Sequence, residues 1–495
     1  MERSSGIILP IYALPSPHGI GTLGQAACDF VDFLADAGQL WWQVLPVGPT
    51  SFGDSPYQSP STFAGNPYFV DLDQLVADGL LTQDEIGAVN WGDDPARVDY
   101  GRLFEEREVL LRAAYRRGWE RDAAAVEAFA RDNAAWLDDY ALFMAVKRHF
   151  GMKSWIEWPD EAIRLRKPEA LVHYRSLLAD DVRFNEYVQY LFFKQWEALH
   201  AYTRKKGIKL IGDMPIYVAL DSADVWAYPT GFMLDGRNLP VEVAGVPPDS
   251  FTGDGQLWGN PLYDYEAMEA DGFDWWIRRV AGAARLYDMI RIDHFRGFES
   301  FWAVPAGART AKDGRWVKGP GMELVGTLIR RFPHTSFIAE DLGYTTPEVT
   351  KLLADSGLPG MKVLEFAFDS RDGDAFMPHT YSPRCACYVG THDNAPLMAW
   401  KEEAVPADVE LARAYFGLND DEGFTWGFIR GGMSSVAELF VAQMQDYLEL
   451  GEWARTNTPG TIGNNWQWRL LPGQASPELA ARIAAATKRY GRSAR

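Results

Sequence analysis

The sequence is poor in cysteine, has fewer basic than acidic residues, and contains no long hydrophobic run. Its three cysteines among 495 residues are Cys28, Cys385 and Cys387. This number and spacing suit neither a disulfide framework nor a tetrahedral zinc site. No apolar run approaches the ~18 residues of a membrane span, and the N-terminal segment has no small-residue cleavage site. We therefore expect a cytoplasmic protein in a reducing compartment.

The excess of acidic residues bears on the choice of partner. With 48 basic and 68 acidic side chains, the formal net charge is −20. Such a field repels phosphate backbones and anionic lipid surfaces, so we expect neither a nucleic acid nor a membrane as partner. Hydrophobic residues make up 47% and charged residues 23% of the chain, which is the balance of an ordinary folded protein.

Short apolar runs that end in a polar residue alternate with stretches of helical spacing. The clearest runs span residues 41–47, 209–218, 289–295, 336–341, 361–368 and 387–393. They are too far apart for hairpins, so the alternation is typical of α/β proteins with parallel strands. Helices are predicted over residues 273–287 and 322–332, and a third begins at Thr346, whose side chain suits an N-cap. The length fits either about three average domains or one barrel with insertions.

Two segments depart from this alternation. Residues 102–200 have helical periodicity throughout and little strand signal, which predicts a mainly helical insertion. Residues 221–265 are rich in glycine, proline, aspartate and tryptophan and have no sustained period, which predicts an irregular insertion. Because long irregular loops are usually functional, we expect an active-site loop there. The last stretch, 477–495, is predicted to be an Ala-rich helix.

Acidic residues stand at the ends of four predicted strands, namely Asp213, Asp293, Glu340 and Asp393. Arg291 and Asp293 share one strand face, because side chains alternate along a strand. A buried arginine keeps a neighbouring carboxylate ionised, as a nucleophile in glycosyl transfer requires. The alternative is an ordinary Arg/Asp pair at a strand end.

The other two strand ends suggest further roles. Glu340 follows an apolar strand, and such surroundings raise a carboxyl pKa toward the range of a general acid; the alternative is a solvent-facing acidic turn. His392 and Asp393 arrive together after Gly390, where His392 can donate to a sugar hydroxyl. No metal site is predicted, because the acids and histidines lack the spacing of metal ligands.

One motif points to a different chemistry. Residues 19–24, GIGTLG, match the dinucleotide-binding fingerprint. However, Pro15 and Pro17 interrupt the approach to it, and the strand predicted at 40–47 ends without an acidic residue to hold a ribose. We therefore expect no nucleotide cofactor.

Aromatic residues make up 14% of the chain and include 19 tryptophans. Helix-spaced ones such as Trp196 are predicted to fill the core. Loop aromatics beside polar residues are predicted to stack on sugar rings; these are Tyr57, Phe251, Trp258, Trp466 and Trp468.

Taken together, the motifs resemble those of the amylomaltases, or 4-α-glucanotransferases, of glycoside hydrolase family 77. The resemblance rests on GIILP (6–10), GDSPYQS (53–59), GDMPIY (212–217), GVPPD (245–249), GQLWGNP (255–261), RIDHFRG (291–297), AEDLG (339–343), GTHDN (390–394) and NWQWR (465–469). It implies a single catalytic (β/α)₈ barrel with insertions and without a separate C-terminal β-domain. It also implies transfer of α-1,4-glucan segments to the 4-hydroxyl of an acceptor glucan or glucose, with retention, through a covalent glucosyl-enzyme.

The resemblance assigns roles to individual residues. It implies that Asp293 is the nucleophile, Glu340 the acid/base, and Asp393 the transition-state stabiliser. The implied donor-site contacts are Tyr57, Asp213, Arg291, His294 and His392. The implied stacking or acceptor-site positions are Phe251, Trp258 and Phe366. No cofactor is implied, and the expected substrates are α-1,4-glucans and maltooligosaccharides.

Two departures from the family pattern leave alternatives open. Ser250 stands where family members often have tyrosine, and Ala395 and Pro396 stand where Asp-Thr is common. Acceptor preference and the balance of transfer against hydrolysis depend on such positions. The rival functions are an α-glucan hydrolase with the same site, a non-catalytic glucan-binding protein on a decayed barrel, and a nucleotide-dependent oxidoreductase.

Overall fold

The computed structural model describes residues 2–51, 53–248, 253–343, 345–369 and 376–493. The strands in these residues are β1 (Ser4–Ile8), β2 (Trp41–Gln43), β3 (Lys209–Met214), β4 (Glu242–Val246), β5 (Gln256–Pro261), β6 (Met289–Ile292), β7 (Ser300–Pro305), β8 (Arg315–Lys318), β9 (Ser336–Ala339), β10 (Gly360–Val363), β11 (Cys385–Tyr388) and β12 (Leu439–Gln443).

Eight of these strands form one parallel sheet in the order β10-β11-β12-β1-β2-β3-β6-β9. Each strand pairs with the strand beside it in this order. The first strand in the chain, β1, pairs with both β2 and the last strand, β12. The two end strands also meet, since Ala339 N–H donates to the Pro359 carbonyl over 2.9 Å. This arrangement is the (β/α)₈ barrel that the sequence motifs imply. All six predicted strands lie in it, although most end several residues earlier than predicted.

The α-helices of the described residues are α1 (Gln25–Asp36), α2 (Leu72–Ala77), α3 (Gln83–Gly87), α4 (Tyr100–Asp132), α5 (Ala134–His149), α6 (Glu161–Arg164), α7 (Pro168–Leu177), α8 (Ala179–Lys205), α9 (Ala223–Ala227), α10 (Tyr265–Ala270), α11 (Asp274–Leu286), α12 (Met322–Arg331), α13 (Pro347–Ser356), α14 (Leu364–Ala367), α15 (Leu397–Glu403), α16 (Pro406–Phe416), α17 (Phe424–Ser434), α18 (Met444–Tyr447) and α19 (Pro477–Arg489).

Several predicted helices are confirmed. Thr346 caps α13, its side chain accepting from Val349 N–H, and proline occupies the first turn. The predicted helices at 273–287, 322–332 and 477–495 correspond to α11, α12 and α19. In the described part of the chain, no helix combines the length and the apolar character needed to cross a membrane.

In the described residues, the elements between β2 and β3 are all helices, and α4 and α8 are the longest of them. Trp196, on α8, is 1% exposed, as predicted for a core residue. The last helix of this segment, α8, leads directly into β3. It packs against α1 and β3, so it also serves as a helix of the barrel wall.

A second sheet contains β4, β5, β7 and β8, all antiparallel, in the order β5-β4-β7-β8. Its first two strands lie within residues 221–265, which the sequence predicted to be irregular. The difference has a physical reason, because β4 contains Gly245 and β5 contains Gly259 and Pro261, and both residue types are poor strand formers. Pairing of β4 with β5 and β7 compensates for the weak local signal.

Candidate active site

Inside the barrel, an apolar layer lies beneath a layer of charged side chains. Met289 and Ile338 are fully buried members of the apolar layer. Two residues further along the same strands are Arg291 and Glu340, which are 2% and 8% exposed. Because the strand period is two, these side chains also point into the barrel. They emerge at its carboxyl end, where barrel enzymes carry their active sites.

Arg291 joins two of the predicted carboxylates. Its Nη1 lies 2.6 Å from Asp213 Oδ2 and 2.9 Å from Asp293 Oδ1. The side chain of Asp213 has no exposed surface, whereas that of Asp293 is 25% exposed. Asp213 is therefore the interior counterion, and Asp293 is the carboxylate that faces the cleft.

Arg291 pairs with Asp213 as well as with Asp293, so its charge is shared between the two carboxylates. This sharing affects the pKa of Asp293. Burial raises the pKa of Asp293 to about 6, although Arg291 opposes the rise. Asp213 and Asp393 raise the same pKa by charge repulsion. Asp293 is consequently ionised at neutral pH with a basicity above that of a free carboxylate.

Glu340 is held by hydrogen bonds to its backbone and to both carboxyl oxygens. Its backbone N–H donates to the Ile292 carbonyl over 2.9 Å. Oε2 accepts from His294 N–H at 2.6 Å, and Oε1 accepts from Leu342 N–H at 3.0 Å. Burial raises the pKa of Glu340 to about 8, against the lowering effect of Arg291 and of the His294 hydrogen bond. At neutral pH the side chain is mainly protonated and can give up a proton.

His294 connects the nucleophile candidate to the second sheet. Its backbone is left-handed, with φ 52°, which is uncommon for a non-glycine residue. Burial lowers the pKa of its imidazole to about 3, so the ring is neutral. The Trp258 ring, on β5, meets it edge-on with centroids 4.9 Å apart. Trp258 is thus brought next to the strand end that carries Asp293.

Tyr57 links Asp213 to His392. Its hydroxyl lies 2.8 Å from Asp213 Oδ2 and 2.8 Å from His392 Nε2. A hydroxyl has one proton, and the Asp213 carboxylate can only accept it. His392 Nε2–H therefore donates to the Tyr57 oxygen. The two rings also stack, with centroids 5.2 Å apart.

The prediction that Trp466 and Trp468 stack on sugars is wrong. These side chains are 4% and 2% exposed. Trp466 instead packs near the rings of Tyr57 and His392, with centroids 5.7 and 6.2 Å away. Trp466 therefore supports Tyr57 and His392 by packing near their rings.

Asp393 lies in the turn after β11, and its side chain is 41% exposed. Its Oδ2 is 3.4 Å from His392 Nε2, and its Oδ1 accepts from Asn457 Nδ2 at 2.7 Å. Asn457 was missed in the sequence, since it follows no strand and carries no charge. Its position in the NTPG run before the NWQWR motif was the available signal.

The acceptor-side candidates are only partly described. Phe366, on α14, is 38% exposed, and it meets Phe376 edge-on at 5.7 Å. Phe251 and Ser250 lie outside the described residues. Ala395 is 6% exposed, and Pro396 is the N-cap residue of α15. The two residues that depart from the family pattern here are therefore part of the packed structure.

Two other sequence features are structural. Asp341, next to Glu340, accepts from Met361 N–H at 2.7 Å and joins β9 to β10. In the GIGTLG motif, a Cβ on Gly21 would lie 1.8 Å from the Ile11 carbonyl oxygen, and one on Gly24 would lie 2.0 Å from Asp71 Oδ2. These glycines accommodate the protein's own chain at the positions where a dinucleotide fingerprint would accommodate phosphate.

Comparison with known proteins agrees with this geometry. The family model for glycoside hydrolase family 77, described as 4-α-glucanotransferase, matches residues 9–474. A 4-α-glucanotransferase of Clostridium butyricum is 46% identical over 484 residues, covering 97% of this chain and 99% of the relative. One from Thermus thermophilus is 46% identical, covering 98% of both.

Among solved structures, the amylomaltase of Streptococcus agalactiae in complex with acarbose is similar with a TM-score of 0.97 and 40% identity, each chain being covered completely. The amylomaltase of Corynebacterium glutamicum shares the fold, with a TM-score of 0.79 at 20% identity over 98% of this chain and 75% of that one. The chain therefore belongs to glycoside hydrolase family 77, the 4-α-glucanotransferases.

Proposed function

We propose that Asp293, Glu340 and Asp393 perform the glucan transfer of this family by double displacement. In the first step, the Asp293 carboxylate attacks the anomeric carbon, the glycosidic C–O bond breaks, and Glu340 gives its proton to the departing oxygen. In the second step, Glu340 takes the proton of an acceptor 4-hydroxyl, whose oxygen attacks the anomeric carbon and displaces Asp293. Two displacements retain the anomeric configuration.

The observation that carries this proposal is that the pKa of Glu340 is raised further than that of Asp293, which is in direct contact with Arg291. The pKa of Asp293 is raised to about 6 and that of Glu340 to about 8. Between these values one group is ionised and the other protonated, as a nucleophile and a general acid must be. If the two residues act as proposed, the carboxyl groups of Asp293 and Glu340 should lie about 5 to 5.5 Å apart, as in retaining enzymes.

The substrate class follows from the family and its bound relative. The similar amylomaltase of Streptococcus agalactiae holds acarbose, and we propose that α-1,4-glucans and maltooligosaccharides bind this chain. Tyr57, Asp213, Arg291, His294 and His392 would surround the donor sugar. Trp258, Phe366 and, outside the described residues, Phe251 would stack on the glucan or accept it.

We also propose the domain organisation expected from the sequence, a single catalytic barrel with a helical insertion at about 102–200 and a second insertion at about 221–265. Contact between Trp258 and His294 supports an active-site role for the second one. We place the protein in the reducing cytoplasm, in keeping with its three free cysteines, and propose neither a nucleic-acid nor a membrane partner, in keeping with the net charge of −20.

The test is product analysis on maltotriose. The wild-type enzyme should yield glucose and chains longer than the substrate with no net gain of reducing ends, whereas a hydrolase would increase them. Asp293→Asn, which keeps the shape but not the charge, should abolish both transfer and hydrolysis. Asp341→Asn is the matched control at a neighbouring strand end and should stay active. An active Asp293→Asn enzyme would overturn the assignment.

A further inference from the structure

Asp393 is held by a segment that lies far from it in sequence. Asn457 Nδ2 donates to Asp393 Oδ1 over 2.7 Å, across 64 residues. Asp393 Oδ2, on the other side of the carboxylate, is 3.4 Å from His392 Nε2. The amide therefore holds one oxygen of a side chain that is 41% exposed.

Arg455 ties the two chain segments together. Its Nη2 lies 3.4 Å from the Asp393 carbonyl oxygen, and its Nε donates to the Asn457 carbonyl over 3.0 Å. One guanidinium thus contacts the backbones of both partners in the side-chain hydrogen bond. Its charge is shared with Glu452 and Glu403, at 3.5 and 4.0 Å.

The residues around Asn457 are themselves anchored to the barrel. Thr456 Oγ1 accepts from Gln445 Nε2 at 3.0 Å, and the Thr456 carbonyl accepts from Trp466 N–H at 2.8 Å. Thr458 N–H donates to Asn465 Oδ1 over 3.0 Å. With both neighbours fixed, the Asn457 side chain is already aimed at Asp393 before substrate binds, and such preorganisation lowers the cost of reaching the transition state.

The choice of an amide has a chemical consequence. A lysine or arginine at this place would neutralise Asp393 and weaken its hold on sugar hydroxyls. An asparagine donates one hydrogen bond and leaves the carboxylate its full charge. Asn457 can thereby orient the Asp393 carboxylate without weakening it as a hydrogen-bond acceptor.

We propose that Asn457, locked in place by Arg455, is a positioning residue that fixes the Asp393 carboxylate for the transition state of glucan transfer. The inference rests on the proposed role of Asp393. It assigns the segment from Glu452 to Asn457 a function in the reaction itself.

The first test is the kinetics of Asn457→Ala on maltotriose. A hydrogen bond to a charged group corresponds to a rate loss of about tenfold or more. We expect that loss in kcat with little change in KM and an unchanged melting temperature. The matched control is Ile462→Ala, because Ile462 lies in the same loop and its side chain is 82% exposed. It should keep wild-type kcat; an equal loss in both variants would overturn the positioning role in favour of loop folding.

The second test uses charge. Asn457→Asp replaces the donating amide with a carboxylate of the same shape, which can only accept hydrogen bonds and repels Asp393. The kcat on maltotriose should fall by at least as much as in Asn457→Ala. A wild-type kcat in Asn457→Asp would contradict the inference.

A double-mutant cycle separates this inference from the proposed function. If Asn457 acts through Asp393, Asn457→Ala should add no further loss to Asp393→Asn. Full activity of Asp393→Asn would refute the proposed role of Asp393 itself. An inactive Asp393→Asn together with a fully active Asn457→Ala would refute the positioning role alone.

Discussion

The backbone N–H of His294 donates to Oε2 of Glu340 over 2.6 Å. This bond is available because His294 adopts a left-handed conformation, with φ 52°, immediately after Asp293. Such a conformation costs of order 1–3 kcal/mol at a non-glycine residue. The turn that follows one catalytic candidate thus orients the other, so the two carboxyl groups are coupled through the backbone as well as through their charges.

The opposed protonation states predict a bell-shaped pH profile. In the proposed mechanism, activity needs Asp293 ionised and Glu340 protonated, so it should fall below about pH 6 and above about pH 8. The measurement is kcat/KM for maltotriose across about pH 4.5 to 9.5. A profile that stays flat above pH 8 would show that Glu340 is not the acid.

Removal of Arg291 should destabilise the fold strongly. The variant Arg291→Met leaves Asp213 and Asp293 without their shared cation, and breaking a buried pair in this way costs about 3–5 kcal/mol. Urea denaturation at pH 7 measures the free energy of unfolding. The control is Arg278→Ala, whose pair with Asp274 is exposed at both ends and should contribute under about 1 kcal/mol. Equal losses in both variants would contradict the prediction.

The strand-end carboxylates could be predicted because their signal is local. Asp213, Asp293 and Glu340 each follow an apolar run in the sequence, and the carboxyl ends of parallel strands lie at one end of a barrel. Their separate roles came from the family resemblance, since spacing does not distinguish a nucleophile from an acid.

Features that depend on tertiary pairing could not be predicted. The strands β1 and β12 were missed, and their pairing joins segments more than 400 residues apart in the chain. Asn457 reaches Asp393 only because β12 lies beside β11. Trp466 was assigned to sugar contact because loop sequences do not reveal which face of a loop is buried.

The buried Glu365 predicts a pH-dependent stability. It is 5% exposed, and burial together with the charge of Asp446 holds its pKa well above the usual value. Above about pH 4.5 the unfolded state loses this proton while the folded state keeps it, so its contribution to stability declines as pH rises toward the folded pKa. Glu365→Gln should flatten the fall in unfolding free energy between pH 5 and 8 by up to ~1.4 kcal/mol per pH unit. The exposed Glu323→Gln is the control, and an unchanged slope in Glu365→Gln would contradict the prediction.

Arg492 lies at the end of the barrel opposite the active site, and we expect its removal to change stability without changing catalysis. Arg492 is fully buried and donates to the carbonyls of Ser4, Met433 and Ala437 at 2.9, 2.7 and 2.9 Å. Arg492→Ala would remove a donor from each of these carbonyls, although Met433 and Ala437 keep a second donor in Arg3, so we expect a cost of about 1–3 kcal/mol. The melting temperature should therefore fall by several degrees, whereas kcat on maltotriose measured well below it should stay at the wild-type value. The exposed Arg489→Ala, one turn earlier, should change neither. A loss of kcat in the folded Arg492→Ala enzyme would mean that the two ends of the barrel are coupled, because a purely local clamp on the strand starts acts on unfolding alone.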